Sequence, residues 1–259
     1  MKRIVIKVGT STLAHPSGKL NLRHIEELTR AVSDLCNRGI EVVLVSSGAI
    51  GAGMGKLSLK NRPADVREKQ ACAAVGQAEL MTMYIRFFAM YSQTAAQILI
   101  TKDVIDDPNR HENAVNTFNT LLDWHIIPIV NENDTISVEE ILFGDNDTLS
   151  AIVATIVKAD TLIILSDIDG LYDKDPRLHK DAKIIQTVHE ITPDIMHAAA
   201  PSATAQGTGG MTTKIHAAKI ALENGIDMII ANGKNPEKAL YSILDGESIG
   251  TLFTKGEKR

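Results

Sequence analysis

The apolar positions of this chain fall into two alternating kinds of run. "RIVIKVG" is a short β-branched stretch ending in glycine. It is followed by "NLRHIEELTRAVSDLCNRG", in which Ile25, Leu28, Val32 and Leu35 recur at helical spacing and Gly39 supplies the stop. "IEVVLVSSG", "AAQILIT", "IIPIVNEND", "TLIILSD" and "IDMIIANG" repeat the strand pattern. Helical stretches predicted over 64–91, 109–124, 146–158 and 211–224 separate most of them. Strands alternating with helices predict a mostly parallel sheet covered on both faces. The segment 135–143 alternates enough to be a hairpin arm, and 198–210, small and uncharged, reads as a mobile loop.

Several predicted strands end in polar or glycine residues: Lys7 to Gly9, Ser46 to Gly48, Asn131 to Asp134, and Ser166 with Asp167. In open α/β sheets ligands bind beyond the carboxyl ends of the strands, so this clustering marks an active edge. One polar strand end is an ordinary turn; four together are not.

Composition narrows the chemistry. The 259 residues are 44% hydrophobic and 23% charged, with a formal net charge of −5, which advertises neither nucleic acid nor an anionic membrane. Any bound anion must be drawn by a few locally placed lysines. The longest apolar stretch, "LSAIVATIVKADTLIIL", is interrupted by Lys158 and Asp160, and the amino terminus is neither signal peptide nor anchor. Cys36 and Cys72 lie in helical segments without a ligand spacing and read as core thiols in a reducing, cytoplasmic setting.

The glycine-rich stretches raise the question of phosphate. "GTGGMTTK" (207–214) departs from the P-loop, because its lysine follows two threonines rather than a glycine. "SSGAIGAGMG" (46–55) fails the dinucleotide spacing, yet it follows a strand and opens a helix, which aims backbone N–H groups at an anion. Lys7 interrupts an apolar strand just before a glycine turn. "NEND" (131–134) and "GDND" (144–147) put carboxylates and amides near helix starts, where Asp145, Asn146 or Asp147 could serve as caps or hold ligand. "SDIDGLYDKDPR" (166–177) is either a surface turn or a cover for a ribose and adenine. No histidine has a paired ligand spacing, and no metal site is predicted.

These motifs in this order ("KVGTS", "SSGAIGAG", "VNEND", "GDNDTLSA", "SDIDGLYDKDPR", "GTGGMTTK", "GTLF") resemble the amino acid kinase family across essentially the whole chain. Within it they are similar to the branch whose acceptor is glutamate. The resemblance implies a three-layer αβα sandwich with a central, mostly parallel sheet, forming a single kinase domain over 1–259. Many members continue past "GTLF" into a PUA module, which is not expected here. The implied activity is phosphorylation of the γ-carboxylate of L-glutamate by ATP with Mg²⁺, the first step of proline biosynthesis. Lys7, Lys214 and Asp147 match the catalytic positions. Ser47, Gly48, Asp134 and Asn146 match glutamate-binding positions. Lys7, Gly9, Ser166, Asp167, Thr208, Gly209, Gly210, Met211, Thr212, Thr213 and Lys214 match the nucleotide site. Proline as feedback inhibitor, a reductase (glutamate-5-semialdehyde dehydrogenase) as recipient of the product, and a homo-oligomer also follow from the resemblance. Two rival readings are a sister kinase with another acceptor and a sensing domain that kept the fold.

A carboxylate acceptor needs no general base, since a free glutamate side chain with a reference pKa of ~4.3 is already ionised at neutral pH. The expected task of the protein is alignment and charge neutralisation.

Overall fold

In the computed structural model, which describes residues 1–15, 17–101, 104–136, 146–176, 178–198 and 210–256, the β-branched runs become strands. β1 (Arg3–Val8), β2 (Glu41–Ser46), β3 (Thr94–Ile100), β4 (Ile126–Glu132), β5 (Thr161–Ser166) and β7 (Asp227–Asn232) are all parallel, in the order β3-β4-β2-β1-β5-β7. Two short strands complete a sheet of eight among the described residues: β8 (Thr251–Phe253), antiparallel to β7, and β6 (Thr187–Val188) beside it. The "GTLF" motif is thus the turn into β8.

Alternation along the strands sorts two cores. Ile4, Ile6 and Val8 of β1 face α2 (Leu22–Asn37), α4 (Val66–Met90) and α9 (Pro236–Leu244), where Leu28, Tyr84, Phe88 and Leu240 are buried. Val5, Val45 and Ile164 face the opposite side, against Phe118 of α5 (Pro108–Asp123), Leu149 of α6 (Asn146–Ile156) and Ile215 of α8 (Met211–Glu223). Lys7 has the parity of Val5 and pairs in register with Val45 and Ile164, so period two alone sends its side chain toward α6 and α8. The expected helices appear within two residues of their predicted bounds. Hairpin arm 135–143 and loop 198–210 fall mostly outside the described residues. Among the described residues no helix is long and apolar enough to cross a membrane.

β1 sits where the strand order reverses: the next strand in sequence lies on one side of it and β5 on the other. Crevices at such reversals, beyond the carboxyl ends, are where open α/β sheets bind ligands. Parallel pairing brings Lys7–Gly9, Ser46–Gly48, Asn131–Glu132, Ser166–Asp167 and Asn232 to one edge.

The turn after β2 is fixed from below. α3 (Ala49–Lys56) lies directly on α4, and the contact is made by glycines: a Cβ on Gly76 would stand 1.8 Å from the Ala49 carbonyl oxygen, and one on Gly53 1.9 Å from that of Cys72. Backbone cannot yield as a side chain does. Gly76→Ala is therefore expected to cost about 1–3 kcal/mol or more, read from urea unfolding, and to shift the Ser47–Gly48 turn that α3 carries.

Candidate active site

Three charged side chains meet at the reactive edge. Asp147, in the first turn of α6, receives Lys7 Nζ on Oδ1 at 2.7 Å and Lys214 Nζ on Oδ2 at 3.1 Å. Thr213 Oγ1 donates to the same Oδ2 at 2.8 Å. All three charged groups are nearly sequestered, at 8%, 1% and 4% exposure for Lys7, Asp147 and Lys214. Burial alone pushes the Asp147 carboxyl up, but Lys7 and Lys214, with the hydrogen bonds, outweigh it and hold it at about 2. Asp147 is thus ionised throughout the neutral range. The contribution of its charge to stability is present above ~4 and lost as pH falls toward 2. Two buried lysines on one buried carboxylate leave a local charge of +1 in a chain of net −5. Such a cluster is costly by itself and is compensated when an anion arrives.

The backbone adds to this field. α2, α4, α5 and α9 are capped by side chains of Asn21, Asp65, Asp107 and Asn235. By contrast α1 (Thr10–Leu13), α3 and α8 begin at Gly9, Gly48 and Gly210, with no side-chain cap. At α1 and α3 no side-chain cap competes with a ligand for the first-turn N–H groups. A Cβ on Gly9 would lie 3.9 Å from Lys7 Nζ, and one on Gly48 3.5 Å from Thr10, so the first two glycine turns adjoin each other and the first lysine. Gly48 is left-handed (φ 93°), a conformation that glycine adopts without strain.

Beside the cluster runs a chain of amides. Asn146 Nδ2 donates to Ser46 O at 2.9 Å, Ser47 Oγ at 3.0 Å and Asn131 Oδ1 at 3.0 Å. Asn131 Nδ2 in turn donates to Gln77 Oε1 on α4 at 2.8 Å. Ser46 Oγ is held by the buried Tyr84 hydroxyl at 3.0 Å. Asn146 Oδ1 is buried without a hydrogen-bond partner among the described residues, as is Asp134 Oδ1. The Asp134 carboxyl is pushed up to about 7 by burial and by the charge of Glu132. Buried polar atoms of this kind are expected to find a partner, and two of them at one edge are open valences for a polar ligand.

Ser166 closes β5, its Oγ donating to Asp167 Oδ1 at 3.1 Å, while its carbonyl accepts Gly233 N–H at 2.6 Å. Met211, Thr212 and Thr213 form the first turn of α8 and set Lys214. Of the sequence-predicted residues, direct contacts bring Ser47 to Asn146 and Lys7, Asp147, Thr213 and Lys214 together. Gly9, Gly48, Asp134, Ser166, Asp167 and Gly210 lie along the same edge, and Thr208 and Gly209 fall outside the described residues, as do Gly144 and Asp145. Sequence reading missed Gln77 and Tyr84 as supports. A signal existed for Gln77: it is polar on the inner side of α4, among Ala73, Gly76 and Leu80. Among the described residues no three His, Cys, Asp or Glu side chains gather as a metal site.

The chain matches the model of the amino acid kinase family over residues 2–232. It is 60% identical to the glutamate 5-kinase of Clostridium perfringens, spanning 99% of this chain and 97% of that protein. It is 57% identical to the glutamate 5-kinase of Clostridium acetobutylicum, over 100% and 96%. Among solved structures, UMP kinase from Bacillus anthracis superposes with a TM-score of 0.65 at 19% identity, covering 99% of this chain and 97% of that one, a likeness of fold. With its sheet order, its paired lysines on one carboxylate and these relatives, the chain belongs to the amino acid kinase family.

Proposed function

We propose that the protein transfers the γ-phosphoryl group of Mg-ATP to the side-chain carboxylate of L-glutamate, giving glutamyl 5-phosphate and ADP at the first step of proline biosynthesis. The observation that carries the chemistry is the convergence of Lys7 and Lys214 on Asp147 at the reactive edge. The glutamate 5-kinase relatives at 57–60% identity support the acceptor.

An ionised carboxylate oxygen of glutamate attacks phosphorus, a new P–O bond forms, and the bond to the bridging oxygen of ADP breaks. No proton moves. The obstacle is that one anion must approach another. Lys7 and Lys214 neutralise the equatorial and leaving oxygens, while the uncapped N–H groups behind Gly9, Gly48 and Gly210 offer further donors. Asp147 touches neither reactant. Its role is positioning: it keeps two mutually repelling ammonium groups side by side. Asn146 and Ser47 hold glutamate, and Asp134 takes its α-ammonium. Mg²⁺ would arrive with the nucleotide rather than at a site of protein carboxylates, and would supply charge neutralisation of the phosphates.

An acyl phosphate hydrolyses readily, so a reductase that consumes it belongs next in sequence, and proline, the end product, is a fitting inhibitor. A homo-oligomer working in the cytoplasm completes the reading.

Four outcomes follow. In the presence of hydroxylamine, glutamate with Mg-ATP should yield hydroxamate, whereas N-acetylglutamate and aspartate should not; ADP release without hydroxamate would exclude a carboxylate acceptor. Lys7→Ala and Lys214→Ala should each lower kcat by about 10²–10³ in protein that circular dichroism reports as folded. Asp147→Asn should approach the same loss, and an unchanged rate would reduce Asp147 to a helix cap.

The fourth concerns Asp134. Only its ionised form attracts an ammonium group, so the KM for glutamate should rise as pH falls below about 7, with the KM for ATP flat. Because its folded-state pKa is raised, ionising Asp134 costs stability as pH climbs through about 7. Asp134→Asn should thus be more resistant to urea at pH 8, on the order of 2 kcal/mol, while binding glutamate more weakly and without the pH dependence.

A further inference from the structure

The amides beside the charged cluster form a line whose hydrogen-bond polarity is set by backbone groups. Asn131 Oδ1 accepts the backbone N–H of Glu132 at 2.9 Å, a group that can only donate. The other branch of the buried Asn131 amide is therefore its NH₂, which reaches Gln77 Oε1 on α4 at 2.8 Å. Asn146 Nδ2 lies 2.9 Å from the backbone carbonyl of Ser46, a group that can only accept, and 3.0 Å from Asn131 Oδ1. Asn146 Oδ1 is left on the far side of a residue only 3% exposed, without a partner among the described residues. The line thus runs one way, from an acceptor on α4 to an open acceptor at the site.

This polarity decides what each group can offer a ligand. Ser47 Oγ accepts from Asn146 Nδ2 at 3.0 Å, so its own hydrogen is kept for a further acceptor. Asn146 Oδ1 and, farther along the Asn131 segment, Asp134 Oδ1 are buried acceptors that call for a donor. In ionised glutamate only the α-ammonium group donates, while both carboxylates accept. A reversed Asn131 would set its NH₂ against the Glu132 N–H and the Asn146 NH₂, donor facing donor, and would release Asn146 to turn its own NH₂ toward the ammonium. Gln77 opposes that reversal from a fixed base. It follows Gly76, where α4 is pressed on the start of α3 with no room for a Cβ.

We infer that Gln77 is a positioning residue for acceptor choice: by giving its carbonyl oxygen to Asn131, it holds the Asn131–Asn146 pair in the one orientation that receives a free α-ammonium group. The enzyme thereby selects amino acids over dicarboxylic acids that lack the amine. Gln77 itself touches no substrate. The selection rests on the glutamate reading, whereas the orientation of the amides is a property of the ligand-free protein.

Two measurements keep these apart. In the ligand-free chain, NMR should find the side-chain NH₂ protons of Asn131 and Asn146 exchanging slowly with water. Gln77→Met, which keeps the length but removes the acceptor, should speed that exchange about tenfold or more, and Gln77→Glu, which keeps an oxygen there, should not. In turnover with L-glutamate and with glutarate, the parent should favour glutamate by about a hundredfold or more in kcat/KM. Gln77→Met should cut this ratio by about tenfold or more, through the KM for glutamate, with the KM for ATP unchanged. Gln77→Glu should hold the ratio within about threefold of the parent. Position 77 is half-buried, and Gln77→Lys, which puts a donor in place of the acceptor, should repeat the Gln77→Met result if that variant does not fold. A parent-like ratio without the acceptor would overturn the inference, as would equal losses with glutamate and glutarate, or a Gln77→Glu variant as impaired as Gln77→Met. A parent silent with both acids would refute the glutamate reading instead, and the exchange rates alone would then decide whether Gln77 orients the amides.

Discussion

Two ammonium groups repel each other, and the site depends on holding them close. Asp147 does this by giving one oxygen to each lysine, from a position 1% exposed at the start of α6. Everything nearby serves that arrangement. β1 delivers Lys7 to the correct face by strand parity, α8 delivers Lys214 one turn after an uncapped glycine, and Thr213 satisfies the remaining acceptor capacity of Oδ2. A bare pair of this kind in low dielectric would be a liability. A third charge, ion-paired with Lys7 through Oδ1 and hydrogen-bonded by Lys214 and Thr213 through Oδ2, turns it into a preorganised anion site whose cost is met in folding rather than during the reaction.

The half proposed to hold the acceptor is built on the opposite principle. There the polar groups are left incomplete. Asn146 spends its amide hydrogens on Ser46, Ser47 and Asn131 but leaves Oδ1 open, and Asp134 is buried near Glu132 with a carboxyl pushed up to about 7. The first half is held together by its own ion pairs; the second, around Asp134, has no opposite charge of its own among the described residues and keeps polar atoms open for a ligand. Stability and function therefore pull in opposite directions at Asp134 and in the same direction at Asp147.

Much of this was legible in the sequence, for identifiable reasons. Strand runs with β-branched residues and helices with 3.6-residue spacing are local signals, and the parallel sheet followed from their alternation. Lys7 drew notice as a charge inside an apolar strand and Lys214 as the end of a glycine-rich loop, whereas Asp147 could not be told from a helix cap beside Asp145 and Asn146 until the family resemblance singled it out. What the sequence could not reveal is pairing at a distance. Gln77 and Tyr84 sit in a long helix like any other residues there, and their roles appear only when α4 packs below Asn131 and Ser46. The short strands β6 and β8 escaped by brevity.

The most direct test of the central claim compares ground-state with transition-state binding in Asp147→Asn. Titrating glutamate-loaded protein with Mg-ADP, and then with Mg-ADP plus aluminium fluoride as a mimic of the phosphoryl group in flight, measures each separately. If Asp147 acts by holding two lysines on the transferring group, the variant keeps most of its affinity for Mg-ADP and loses about a hundredfold or more for the fluoroaluminate complex. An equal loss in both titrations would contradict the account and make Asp147 a residue of general structural support.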